Sequence, residues 1–302
     1  MLTFEKAMEK YRAWMIRRNF SQRTIQYKND FFRPFGKWLF GTHPEAYQDV
    51  RAVTCEVIDD YLDFVALKGF KPSSMQTSIS NVKTFFKFLY RNDLISEDPT
   101  RKVDNVRVPK KEVIYVPHEE VIKTLDEMFI KFRKGNRYEV AVRDYFIIRC
   151  AYVTGWRASE SLACNPQEDI NWDTGEVYIP KRKGGGDGYV YLDQETLKKL
   201  KEWYYSNYPN GKRLWYTIGS KKGKPMKYQG YKKVFLKYFG MGSHRIRASF
   251  ATHLHFQGVD VKDIKDLMGH KSITSTMSYV AKDNNKLKQI HREKNPFSKG
   301  AT

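Results

Sequence analysis

Several short stretches of this chain place cations and proton-carrying side chains at spacings suited to holding an anion. In Thr154-Gly155-Trp156-Arg157-Ala158-Ser159-Glu160, Gly155 breaks one helical pattern and Arg157 opens the next. A guanidinium at that point stands beside the unpaired N–H groups of a helix start, so both could face one anion. In Ser243-His244-Arg245-Ile246-Arg247-Ala248-Ser249-Phe250-Ala251-Thr252-His253, His244 and Arg247 lie three residues apart. On a helix they share a face and could approach a single phosphate from neighbouring directions. Met268-Gly269-His270 reads as the end of another helix, and Ser278-Tyr279-Val280 as part of the one after it. Each piece alone is ordinary, since an arginine beside a turn is usually just solvated.

The elements that must position these residues fall into two regions. Residues 1–100 read as a small helical bundle. Phe4, Met8, Tyr11 and Met15 recur at helical spacing, and Ser21 can cap a second helix carrying Ile25, Phe32, Phe35 and Leu39, stopped by Gly41. Thr54 caps a third helix with Ile58, Tyr61, Leu62 and Val65 on its apolar stripe, ended by Gly69; Ser73 or Ser74 opens a fourth bearing Ile79, Val82, Phe86 and Leu89. Residues 101–117 are basic and rich in Val and Pro with no helical period, which predicts an extended linker, either plain or strapped over a polyanion. Residues 118–302 form the second region, with helices predicted near 118–134 and 138–153. Between Ile170 and Leu192 the pattern changes to β-favouring runs broken by Asp173-Thr174-Gly175 and by Gly184 to Gly188, predicting three short antiparallel strands. The glycine cluster lacks P-loop spacing and no helix start follows it, which argues against a nucleotide cradle. Helices resume near Glu195 and continue to a polar tail, 283–302. The fold class expected is mainly α with a small antiparallel β-sheet.

Composition narrows the partners. The 302 residues carry 54 Lys and Arg against 34 Asp and Glu, a formal net charge of +20. Such a chain concentrates on a polyanion, because each neutralised phosphate releases condensed counterions. The cations are spread along the chain rather than clustered beside an apolar anchor, which favours nucleic acid over a membrane surface. With 41% hydrophobic residues, no run long enough to cross a bilayer and no apolar secretion signal, the sequence predicts a globular protein of the cytoplasm, associated with the nucleoid. Cys55, Cys150 and Cys164 are odd in number and widely spaced, so neither a disulfide framework nor a zinc site is indicated. His253 and His255 tempt a metal reading, but His253 falls on the apolar side of its helix and reads as packing.

Taken together, the pieces resemble the tyrosine recombinase (phage integrase, Xer-like) family. That family is marked by an Arg in a T-G-x-R-x-S-E box, a Lys on a β-hairpin, an H-x-x-R box followed by S-F-A-T-H, a G-H pair, and a Tyr nine residues after that His. Here the corresponding residues are Arg157, Lys183, His244, Arg247, His270 and Tyr279. Lys183 is matched by counting back from Tyr189-Val190-Tyr191-Leu192, within the run Lys181-Arg182-Lys183, where one residue of slip would change the face. The chain departs from the frequent family pattern at Ala248, where His is common. The stretch from Ser78 to Thr100 resembles the last helix and exit of the family's core-binding domain. The resemblance therefore implies an N-terminal helical core-binding (SAM-like) domain and an α+β catalytic domain.

What the resemblance implies chemically is attack of Tyr279 on a phosphodiester, giving a 3′-phosphotyrosyl link and a free 5′-hydroxyl. Arg157 and Arg247, with His270, would hold the charge on the non-bridging oxygens. Lys183 would protonate the leaving oxygen, His244 would accept or orient the phenol proton, and Glu160 would either support Arg157 or act as a helix-terminus partner. No cofactor and no metal is implied. The partner would be double-stranded DNA, with self-assembly into dimers and tetramers on it and no membrane. Leu287, Ile290 and Phe297 would anchor the tail on a neighbouring protomer or in cis. Two other readings remain: a type IB topoisomerase-like enzyme, against which His244 stands because Lys is typical there, and a non-catalytic DNA-binding regulator.

Overall fold

The computed structural model describes residues 1–109, 112–131, 136–182, 186–219, 223–280 and the positions 288, 291 and 292. The chain divides into two compact units, Met1–Lys110 and Lys111–Thr302.

The first unit is all helical. α1 (Phe4–Arg17) starts where the Thr3 hydroxyl accepts the Lys6 N–H, and α2 (Gln22–Thr42) where Ser21 accepts that of Thr24. A five-residue α3 (Pro44–Gln48) and a 3-10 turn at Val50–Ala52 follow, then α4 (Cys55–Leu67), capped by Thr54, and α5 (Pro72–Arg91). Two boundaries differ from expectation. Gly41 does not stop α2, which runs on through it to Thr42. α5 begins a turn's fraction earlier than Ser73, at Pro72, whose fixed φ and missing N–H suit the first helical position. Aromatic rings fill the centre: Phe4, Tyr11, Phe32, Phe35, Phe85 and Phe86 are all nearly inaccessible and meet at tilted or edge-on angles. The packing is close enough that a Cβ on Gly36 would collide with the Phe4 ring.

In the second unit, α6 (His118–Lys131) and α7 (Asn136–Thr154) are followed by the short α8 (Ala158–Ala163). β1 (Glu176–Ile179) and β2 (Gly188–Tyr191) pair antiparallel, with Val177 opposite Val190. Then come α9 (Gln194–Asn207), α10 (Tyr228–Phe239), α11 (Ser243–Phe256), α12 (Val261–Leu267) and α13 (Ile273–Met277). α7 is the axis: it is buried on nearly every side and touches α6, α9, α10, α11 and β2. Val177, Ile179 and Val190 turn one face of the hairpin into that core, while Tyr189 and Tyr191 face outward.

Three expectations for this unit are corrected. The third strand reduces to a single bridge between Ile170 and Val177, because the chain bends away at once into a turn in which the Asn171 side chain accepts the N–H groups of Asp173 and Thr174. Helix is not continuous after α9: residues 208–219 and 223–227 are irregular, with a bridge between Tyr216 and Pro225. Tyr279 lies just past the end of α13, not on it. Among the described residues no helix is long and apolar enough to cross a membrane.

Candidate active site

The site is built on the ends of four helices. Gly155 closes α7 with a left-handed backbone, φ 58°, and a Cβ there would strike the Phe250 ring on α11. That turn delivers Arg157 to the head of α8. The Arg157 N–H donates to Glu160 Oε2 at 2.8 Å, and its Nη1 donates to Oε1 of the same carboxylate at 2.8 Å. Glu160, 6% exposed, thus caps α8 and fixes the guanidinium at once. The other arm, Nη2, points to the Gly269 carbonyl at 3.4 Å.

On α11 the three-residue spacing separates two environments on one face. Arg247 is 2% exposed; His244 is exposed. Arg247 donates Nη1 to the Gly155 carbonyl and Nη2 to the Met268 carbonyl at 2.5 Å, and Nη2 lies 3.0 Å from His270 Nε2. Burial, then the neighbouring Arg157, pulls the Arg247 pKa down to about 10, which leaves it charged near neutrality.

His270 follows α12 and is tied on both sides. A guanidinium can only donate, so His270 Nε2 accepts from Arg247. Its Nδ1 therefore carries the proton and donates to Thr276 Oγ1 at 2.9 Å. Burial first, then Arg247 and Arg157, lower its pKa from 6.5 to about 4, so the ring is neutral.

Tyr279 is held by its backbone. Its N–H donates to the Thr276 carbonyl at 2.8 Å, and its carbonyl accepts from Thr252 Oγ1 at 3.0 Å. A small apolar cluster of Ala251, Ile264, Met268 and Val280 lies under it. The phenol oxygen is 2.5 Å from His244 Nε2, the ring is 5.2 Å from that of His270, and Arg247 Cζ lies 5.9 Å from the ring centroid. Five sequence-predicted residues, Arg157, His244, Arg247, His270 and Tyr279, are thus brought together, with Glu160 behind Arg157. Lys183 lies outside the described residues, as do Leu287, Ile290 and Phe297. His253, read as a packing residue, is half-buried and stacks on His118 at 4.6 Å.

Sequence reasoning missed Thr276, Thr252 and Arg182. Arg182 is 8% exposed and donates Nη2 to the Tyr189 carbonyl at 2.6 Å. Its guanidinium fills the space where a Cβ on Gly269 would lie. Nothing in a run of three cations says which one turns inward, whereas a threonine six residues after a histidine carries no recognisable pattern at all. Chemically, the arrangement offers two forked donors to an oxyanion and a phenol beside an imidazole able to take its proton.

Comparison with known proteins finds relatives along most of the chain and solved structures of similar fold. A tyrosine recombinase XerC from Leptospira interrogans is 25% identical over 299 residues, covering 94% of this chain and 91% of that protein. The Tn1549 transposon integrase, solved with a circular intermediate DNA, matches with a TM-score of 0.69 at 17% identity, over 97% of this chain and 99% of that one. A lambda integrase dimer bound to a core site matches with a TM-score of 0.69 at 18% identity, over 92% and 95%. The family model described as "Phage integrase family" matches residues 120–286, more than half of the chain and the whole span from Arg157 to Tyr279. On that match, the chain belongs to the phage integrase family.

Proposed function

We propose that this chain is a tyrosine site-specific recombinase, cutting and rejoining double-stranded DNA through a 3′-phosphotyrosyl intermediate on Tyr279. The observation that carries this reading is the Tyr279 hydroxyl 2.5 Å from His244 Nε2, beside a buried Arg247 that shares its turn with Arg157 and His270. The names of the relatives support it, as do the DNA-bound dimer and tetramer of lambda integrase. Dimers and tetramers assembled on DNA in the nucleoid are accordingly the working form we assign to this chain.

The chemistry runs as follows. A phenol with a pKa of about 10 is ionised in roughly one molecule per thousand at neutral pH, so attack requires a proton acceptor. His244 fills that role. As Tyr279 Oη bonds to phosphorus, the bond to the 5′-oxygen breaks and that oxygen leaves with the electron pair. It takes up a proton from a general acid, which we assign to Lys183. Arg157 and Arg247 hold the non-bridging oxygens, where charge grows. With a phosphate bound, His270 becomes a further donor by moving its proton to Nε2, while the Thr276 hydroxyl turns to donate to Nδ1. A 5′-hydroxyl from a second strand then attacks the phosphotyrosine and the steps reverse. The phosphoester bond is conserved throughout, so ligation needs no ATP.

The test is covalent trapping on duplexes of randomised sequence, nicked so that the short cleaved piece diffuses away. Protein–DNA adducts that resist detergent and vanish in Tyr279→Phe are expected, in the presence of EDTA, and sequencing the attached DNA identifies the target. DNA binding without adducts would instead favour a regulator, and supercoil relaxation without joined products would favour a topoisomerase.

A further inference from the structure

Arg182 has no role in the account so far, yet it is among the few buried charged side chains of the second unit. It leaves the hairpin where its N–H closes onto the Gly186 carbonyl at 2.9 Å, then folds across Gly188 toward Gly269. Gly269 has φ 61°, a backbone conformation that favours glycine, and the guanidinium occupies the space its missing Cβ leaves. Three guanidinium groups consequently surround one turn: Arg247 on the Met268 carbonyl, Arg157 on the Gly269 carbonyl, and Arg182 against the Gly269 α-carbon.

The charge around that turn is unbalanced. Glu160 answers Arg157, but among the described residues Arg182 and Arg247 form no ion pair. Each also keeps a buried Nε–H with no hydrogen-bond partner. A buried cation with an unused donor is costly unless something anionic arrives to meet it. Arg182 shares a cleft of about 610 Å³ with His270, whose carboxylates, Asp187, Asp263 and Asp266, are exposed rather than buried. Asp187 is taken by the Tyr178 hydroxyl and Asp266 by Lys265. Both Arg247 and His270 have their pKa values lowered in part by Arg182, as proximity requires.

We infer that Arg182 is a third guanidinium of the phosphate site, placed by the hairpin to neutralise charge on the non-bridging oxygens together with Arg157 and Arg247. The inference rests on the cleavage reading above and names a residue that reading did not need.

The experiment uses the full chain on a nicked duplex carrying the sequence recovered by trapping, with the scissile position either a phosphate or a methylphosphonate. Replacing one non-bridging oxygen by a neutral methyl group removes charge that a guanidinium would otherwise meet. Arg182→Gln is expected to slow single-turnover cleavage of the phosphate about 100-fold at saturating DNA, the scale of one lost transition-state donor, and to shift DNA affinity less than about threefold. On the methylphosphonate the defect should shrink at least about tenfold, an effect that loss of packing would not produce. Arg182→Lys, which keeps the charge without the fork, should fall between the two. Should Arg182→Gln not fold, by its thermal melting and DNA binding, the same phosphate-to-methylphosphonate comparison is made on Arg182→Lys. A rate equal to wild type, or one equally impaired on both substrates, overturns the inference while leaving the cleavage reading intact. Absence of any adduct with the unaltered chain overturns both.

Discussion

Arg247 ties the turn after α7 to the turn between α12 and α13, through the Gly155 carbonyl of the one and the Met268 carbonyl of the other, and sets the tautomer of His270 at the same time. A lysine at this position keeps a charge but loses the fork, so Arg247→Lys should lower single-turnover cleavage by about 10²–10³. Unchanged cleavage would show that charge alone suffices. His270 makes a prediction about pH. Its folded pKa, about 4, lies below its ordinary 6.5, so the unfolded chain takes up the proton first as pH falls. The stability it contributes is present above about 6.5 and is lost on descending toward about 4. Urea midpoints measured across that range should decline, and His270→Gln should flatten the decline; equal slopes would refute the assignment. The residues at the centre of this site were legible because each sits in a short box at fixed spacing. Arg182 was not, since alternation cannot choose among Lys181, Arg182 and Lys183 without knowing the strand register. Thr276 was hidden for another reason: its role exists only through the imidazole it accepts from.

At the scale of elements, the helix starts were the most readable features. Ser21 and Thr54 each accept the N–H three residues on, the geometry that makes these residue types caps. Thr54→Ala should cost about 1 kcal/mol in urea unfolding, and no measurable change would mean that water replaces the cap without loss. Stops were harder to read. Gly41 lies within α2 because nothing there demands a left-handed backbone, whereas Gly155 ends α7 because its φ is 58°. Gly155→Ala combines that strain with a collision against Phe250, and the carbonyl it carries is a partner of Arg247. A loss of at least about 1 kcal/mol in stability, with slower cleavage, is expected. A stable and fully active Gly155→Ala would show that the turn can relax. The small sheet was legible as a hairpin but not in strand number, because the β-favouring residues around Ile170 are claimed by the Asn171 turn before a ladder can form. Tyr279 was placed on a helix by its neighbours' pattern, yet α13 ends at Met277.

For the molecule as a whole, the charge of +20 was the first functional clue and carries its own test. If about 6–10 phosphates are neutralised, DNA affinity should fall by about 10³–10⁵ between roughly 50 and 200 mM salt, and a shallow dependence would contradict a backbone-tracking interface. Truncation after Asp283 should abolish cooperative assembly on DNA while sparing binding by a single copy; unchanged cooperativity would mean the tail does not bridge protomers. Stability is also spread unevenly through the second unit. α7 is enclosed on nearly every side, but Tyr279, the nucleophile proposed above, follows a helix of only five residues, too short to persist on its own merits. The phenol therefore stands where it does by courtesy of Thr252, Thr276 and the apolar cluster beneath it. In deuterium exchange the amides of 273–280 should open far sooner than those of α7, so the reactive tyrosine would be the first catalytic group to wander and the last to be secured.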